Sequence, residues 1–265
     1  MDGVPSFRWG LGGIPALAGF ELTIQQGIIL ALGSVVLGIS RTGIRGAAFL
    51  VIPVFAGVFG GRASAGIVLV LLVIGDLIAI YKYRGDARWS HIRPLLPWTL
   101  AGIVLGTLVG SVIPDRVFVR IVAVIVLVST ALMWVRDNGT GDIDVPTSPV
   151  LSGLLGIVAG FSSMVGNAAG PLMNLFFLSR GLNKDRFIGT AAWFFFIVNA
   201  TKVPFHVFAW RTIDSQTMLL GFTFLPAVLA GAFAGIWIVR IIPEKRFRIV
   251  MIVLIIVAAG RLLFT

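Results

Sequence analysis

Two arginines four residues apart, Arg41 and Arg45, interrupt apolar sequence in the stretch Gly38-Ile39-Ser40-Arg41-Thr42-Gly43-Ile44-Arg45-Gly46. That spacing puts both guanidinium groups on one face wherever a helix continues through it. Permanent positive charge on one face attracts a small anion, and Ser40 and Thr42 can add neutral hydrogen bonds. A second reading stays open, in which both arginines snorkel to headgroups at a membrane surface. Further along, Gly160-Phe161-Ser162-Ser163-Met164-Val165-Gly166-Asn167-Ala168-Ala169-Gly170-Pro171 breaks apolar sequence in the same manner. Here Ser162, Ser163 and Asn167 are the neutral donors, although such groups also simply bridge membrane helices.

Asp76 stands between Gly75 and Leu77 in a long apolar run. An ionisable group there is costly unless it faces water or a partner, so it is a candidate for proton coupling or for pairing with an arginine. Asn199 and Lys202 lie in the corresponding run of the second half of the chain. No metal centre is expected, because the chain has no cysteine and only two histidines, His91 and His206. No nucleotide-binding loop is present, no catalytic residue is assigned and no cofactor is expected.

The elements that carry these residues are oily. Of 265 residues, 58% are hydrophobic and 12% charged, with a mean hydropathy of +1.02, whereas an ordinary soluble chain carries roughly a quarter charged residues. The excess apolar surface must face lipid. The apolar runs do not alternate, which argues against a barrel. The net charge of +10 sits mostly in short connectors, where it sets membrane orientation and does not point to nucleic acid.

Ten apolar segments are expected, at 22 to 40, 47 to 59, 63 to 81, 95 to 113, 117 to 135, 150 to 162, 168 to 179, 187 to 205, 216 to 239 and 246 to 264. A membrane helix needs roughly 20 residues. The second member of each series of five is too short to cross alone, and is therefore short, tilted or re-entrant. Organisation follows as an N-terminal segment 1–21, a membrane repeat 22–135, a polar connector 136–149 and a second repeat 150–265.

The halves match at Gly43 and Gly166, Gly66 and Gly189, and Asp76 and Asn199, all at an offset of 123. Gly102 and Gly231, Gly106 and Gly235, and Pro114 and Pro243 match at 129. Basic charge changes sides between the copies. The linker Lys82, Arg84, Asp86, Arg88, Arg93 carries +3 while its counterpart around Arg211 and Asp214 is neutral, and the linker Asp115, Arg116, Arg120 carries +1 while Arg240, Glu244, Lys245, Arg246, Arg248 carries +3. With basic linkers in the cytoplasm, the second copy is upside down relative to the first, a framework found in secondary transporters. Fold class is thus an all-α polytopic membrane protein with an inverted-topology internal repeat and broken or re-entrant helix pairs.

Irregular backbone at membrane depth must find partners inside the protein, in water or in a ligand. Broken pairs also expose helix-end amides that can receive an anion's oxygens, so Gly43, Gly46, Gly166 and Gly170 join the candidate site. Gly102, Gly106 and Gly110 read as a packing stripe. Trp98, Trp134, Trp193 and Trp210 are candidates for interfacial anchors.

The glycine-rich break in the first helix pair, its return at Gly160 to Pro171, and Tyr81-Lys82-Tyr83-Arg84-Gly85 followed by Trp89 resemble the TauE/SafE family of sulfite exporters and toluenesulfonate uptake permeases, over about residues 25 to 262. The resemblance implies a multi-pass protein of a bacterial inner membrane that moves sulfite, sulfoacetate or other organosulfonates. The family's run of consecutive glycines is diluted here by Arg41 and Arg45. The expected partners are a small anionic substrate and the lipid bilayer, with protons and a second copy of the chain as further candidates, and no nucleic acid. A secondary anion transporter driven by a proton gradient or the membrane potential is the leading expectation, and a small-anion channel is the alternative.

Overall fold

The structure is a computed structural model that describes residues 22–42, 47–83, 85–138, 148–178, 180–182, 184–241 and 244–264. Gly43, Arg45 and Gly46, all of the N-terminal segment, most of the connector, and Pro243 lie outside the described residues. The first half supplies α1 (Ile24–Thr42), α2 (Ala48–Phe59), α3 (Gly61–Tyr83), α4 (Trp89–Ile92), α5 (Leu96–Val112) and α6 (Asp115–Asn138). The second supplies α7 (Pro149–Gly166), α8 (Gly170–Leu178), α9 (Lys184–Pro204) with a π turn at Phe205–Ala209, α10 (Ser215–Thr223), α11 (Leu225–Ile241) and α12 (Glu244–Leu263). The protein is an all-α polytopic membrane protein.

By length and composition, Ile24–Arg41, Gly61–Tyr81 and Arg186–Ala209 are apolar enough to cross a membrane, and the bent pair Ser215–Thr223 and Leu225–Gly235 would be a fourth span. The expected short segments are short. At about 1.5 Å per residue, the 12 residues of α2 and the 9 of α8 reach only about 18 Å and 14 Å, well under the roughly 30 Å of hydrocarbon.

The run 95 to 113 is a single helix, α5, which follows α4 and a turn at residues 93–95. One of the expected segments differs from the structure. The run 216 to 239 is bent by 45° between α10 and α11. Pro97 and Pro226, which match at the offset of 129, each occupy the second position of a new helix. Proline's missing donor costs nothing in a first turn but breaks a helix interior.

The centre of the molecule is the crossing of α3 and α9. Gly66 near the start of α3 packs against the Thr212 carbonyl beyond the end of α9, while Gly189 near the start of α9 packs against the Tyr83 carbonyl at the end of α3. The two helices therefore run antiparallel, with Asp76 and Asn199 midway between those contacts. The most extensive other pairings are α5 with α7 and α1 with α11, and α6 also meets α8 as α12 meets α2. Each pairing recurs with the halves exchanged.

Glycine makes these crossings close. A Cβ on Gly102 would strike the Ile157 carbonyl, and one on Gly160 the Thr99 carbonyl, between α5 and α7. Gly231 and Gly38 meet the carbonyls of Val35 and Val228 in the same way between α11 and α1. Small residues let backbones approach and gain dispersion contact where lipid offers no hydrophobic drive. The stripe continues to Gly106 on Met164 and Gly110 on the Trp210 ring.

Candidate functional site

Each half ties the end of its first helix to its central helix. At the end of α1, Arg41 lays its Cγ against Gly75, where a side chain would leave no room. Its Nη1 comes within 3.1 Å of Asp76 Oδ1. The pair is close but not aligned for a hydrogen bond, so Asp76 Oδ1 and Arg41 Nε both retain bonding capacity. The guanidinium also sits 5.6 Å from the centre of the Phe195 ring on α9, a cation–π distance. At 16% side-chain exposure, Arg41 does not snorkel to the surface; it points inward.

At the end of α7, Asn167 adopts the left-handed conformation with φ +51°, which asparagine tolerates better than other side-chain-bearing residues. Its N–H closes the helix on Ser163 O at 2.9 Å. The turn aims the Asn167 amide at α9 and α3. Lys202 Nζ donates to Asn167 Oδ1 at 2.6 Å and to Ser163 O at 3.0 Å, and Asn167 Nδ2 donates to Ala65 O at 3.2 Å. Lys202 is fully buried, at 0% exposure. Gly166 and Asn167 line a narrow cleft together with Gly61, Ser64, Ala65 and Val122.

Between these ends, Asn199 Nδ2 donates to Asp76 Oδ2 at 2.6 Å. Asp76 and Asn199 are 1% and 2% exposed. Arg41 lies on the Phe195 side of this bond, toward the contact of Gly189 with Tyr83, and Lys202 lies one turn away on the other side, toward the contact of Gly66 with Thr212. Among the described residues, Lys202 has no carboxylate within ion-pair distance, because the only salt bridge joins Arg41 to Asp76. With all three ionised, the cluster carries one more positive charge than negative. An unpaired buried cation is expensive.

The structure thus brings together Arg41, Asp76, Ser163, Asn167, Asn199 and Lys202. It changes the parts expected of three polar residues. Ser162 Oγ is turned back onto its own helix, on Val158 O at 2.8 Å; Ser163 takes part through its carbonyl; and Asn167 spends both ends of its amide on Lys202 and Ala65. Hydroxyls in helices often find the carbonyl one turn back, which is why Ser162 in the sequence overstated a free donor. Ser40 lies half-buried in the last turns of α1, and Gly170 starts α8 against the Phe49 ring. Gly43, Arg45 and Gly46 lie outside the described residues, as does the side chain of Thr42.

Sequence reasoning passed over His206. It is fully buried, four residues after Lys202 and so on the same helical face, with Nδ1 2.7 Å from Thr212 Oγ1 and Nε2 without a partner. The spacing from Lys202 was the available signal. Trp210, expected among the interfacial anchors, is instead a buried packing residue: it is 8% exposed, donates from Nε1 to Thr107 O at 3.1 Å and meets the Phe118 ring edge-on.

Neither a curated protein nor a solved structure matches the chain. The family model of the sulfite exporter TauE/SafE matches residues 11–262, nearly the whole length and every element of the site just described. The chain belongs to the sulfite exporter TauE/SafE family.

Proposed function

We propose that the protein is a secondary transporter of a small anion, sulfite or an organosulfonate such as sulfoacetate, working by alternating access in the inner membrane of a bacterium. The observation that carries this reading is the buried crossing of α3 and α9, where two cations, Arg41 and Lys202, flank one carboxylate, Asp76. The antiparallel run of these two helices and the recurrence of each packing pair with the halves exchanged support an inverted repeat, residues 22–135 against 150–265. Such a repeat places a substrate site at its interface and lets one half rock against the other.

In this account the anion enters on Arg41, competing with Asp76 for the guanidinium, and passes to Lys202 across the Asp76 and Asn199 bond. Asp76 then serves as the resident counter-charge that holds the cations when no substrate is bound. Release of Asp76 from Arg41 also makes it the candidate for taking up a proton, so that coupling to a proton gradient or to the membrane potential follows from the same residue. Ser40 and the helix ends near Gly166 and Gly170 complete the anion's surroundings.

The test is uptake by proteoliposomes of sulfite, sulfoacetate, sulfate and short carboxylates, with and without a pH gradient. Saturable uptake that shows exchange and prefers sulfite or a sulfonate supports the proposal. Unsaturable flux without exchange indicates an anion channel, and no anion flux at all removes the reading.

A further inference from the structure

A second group of basic side chains lies away from the α3 and α9 crossing, at the end of the molecule where Tyr83 meets Gly189. The linker after α3 is fastened there, with Arg88 N donating to Thr190 Oγ1 at 2.9 Å. This brings α4 onto α9, and the Trp89 ring packs 5.3 Å from that of Trp193. From the other side, the turn after α8 delivers Arg180, whose guanidinium lies 4.3 Å from the centre of the Phe176 ring. Burial first, and then the charges of Arg180 and Arg88, disfavour a proton on His91.

Two separate stretches of chain thus gather Arg88, His91 and Arg180, yet among the described residues none of the three has a carboxylate within ion-pair distance. Two donors at this end are buried without any acceptor, Arg180 Nε and Trp193 Nε1. A buried donor left unpaired is costly, and a guanidinium lying over a ring has already surrendered part of its hydration. What the cluster lacks is an anion with several oxygens.

We infer that Arg180, Arg88 and His91, with the indole N–H of Trp193, form a binding site for a phosphate- or sulfonate-type oxyanion at the membrane surface, separate from the crossing of α3 and α9. Trp89 and Trp193 beside it are the kind of ring that settles at headgroup level, and a phospholipid headgroup supplies the required oxyanion; so does a free anion in solution. The inference does not depend on the transport reading, since it uses none of the residues of that site.

The experiment is equilibrium binding to the full chain in neutral detergent, with short-chain phosphatidylglycerol, short-chain phosphatidylcholine and inorganic phosphate as separate probes. Wild-type protein should bind phosphatidylglycerol saturably and at least about tenfold more tightly than phosphatidylcholine, by the ordinary worth of a charge-assisted contact. Arg180→Gln and Arg88→Gln should each remove most of that preference, while Arg41→Gln leaves it intact. Arg88 is exposed, so its replacement keeps the test valid if the Arg180 variant fails to fold. Binding of inorganic phosphate that the same two variants abolish identifies the occupant as a free anion, and phosphatidylglycerol binding without it identifies a lipid headgroup. Equal binding of the two lipids with no phosphate binding, or an unchanged preference in both variants, overturns the inference.

Discussion

Asn199 donates to Asp76 across 2.6 Å, joining positions 123 residues apart that correspond in the two halves of the chain. On the inverted-repeat reading, a residue that touches its own counterpart lies close to the axis relating the two halves. Asparagine in place of a second aspartate allows the contact with Asp76 ionised, since two ionised carboxylates at that distance would repel. On the inverted-repeat reading the two positions correspond but are not chemically equal, and the negative charge is left on the side of Arg41.

Removing Asp76 leaves Arg41 facing Phe195 and the interior without its counter-charge. Asp76→Leu should destabilise the protein by about 3–5 kcal/mol, the usual cost of breaking one side of a buried pair. Arg41→Met in the same chain should recover about 1–3 kcal/mol of that loss. Thermal unfolding of the two single variants and the double variant in detergent measures the coupling, and strict additivity contradicts the pairing.

The helix crossings predict a contrast among glycines. Gly102→Ala drives a methyl group into the Ile157 carbonyl, whereas Gly27 and Gly260 have nothing within 4 Å of an added Cβ. Unfolding measurements should show a loss of about 1–3 kcal/mol for Gly102→Ala, the range for overpacking. Gly27→Ala should be neutral or slightly stabilising, because alanine is the better helix former.

Asn167 has two separable duties, its left-handed turn and its grip on Lys202. Asn167→Gly keeps the turn and loses the amide; Asn167→Ala loses both. The alanine variant should be less stable than the glycine variant by about 1 kcal/mol, while both should lose anion uptake if holding Lys202 is what uptake requires. Retained uptake in the glycine variant would separate Asn167 from the site.

His91 lies outside the membrane-spanning helices, where burial first, then the charges of Arg180 and Arg88, lower its pKa below the ordinary 6.5. A lowered folded-state pKa means that the unfolded chain binds the proton more readily. Stability therefore rises with pH through the window between the lowered value and 6.5, and falls on acidification through it. Replacing Arg180 by Gln should move the His91 midpoint back toward 6.5. The chain has only two histidines, so a pH titration of the imidazole NMR signals can follow His91 directly, and an unmoved midpoint argues against Arg180 beside it.

Much of this architecture is legible in the sequence because membrane physics leaves few choices. Apolar runs must be helices, breaks must be sheltered, and Asp76 must find a partner, which the structure supplies in Arg41. The bend at Pro226 was written in the sequence as well, but an apolar run masks a proline that sits in a first turn. Less legible was the direction of each polar group. Nothing in Ser162 tells that its hydroxyl bonds backward to Val158, and nothing in Asn167 tells that Lys202, 35 residues later, takes its amide oxygen. Those outcomes depend on where helices cross, and the crossings are set by Gly102, Gly160, Gly231 and Gly38, whose spacing shows that close contact exists but not which partner it meets.

The central claim is that Arg41 and Lys202 together receive the anion. Its most direct test is the concentration dependence of sulfite uptake into proteoliposomes carrying wild-type protein, Arg41→Gln or Lys202→Gln, each first shown to be monodisperse in detergent. The account predicts that KM rises at least about tenfold in either variant, the equivalent of one lost charge-assisted contact. Unchanged KM and maximal rate in both variants contradict it.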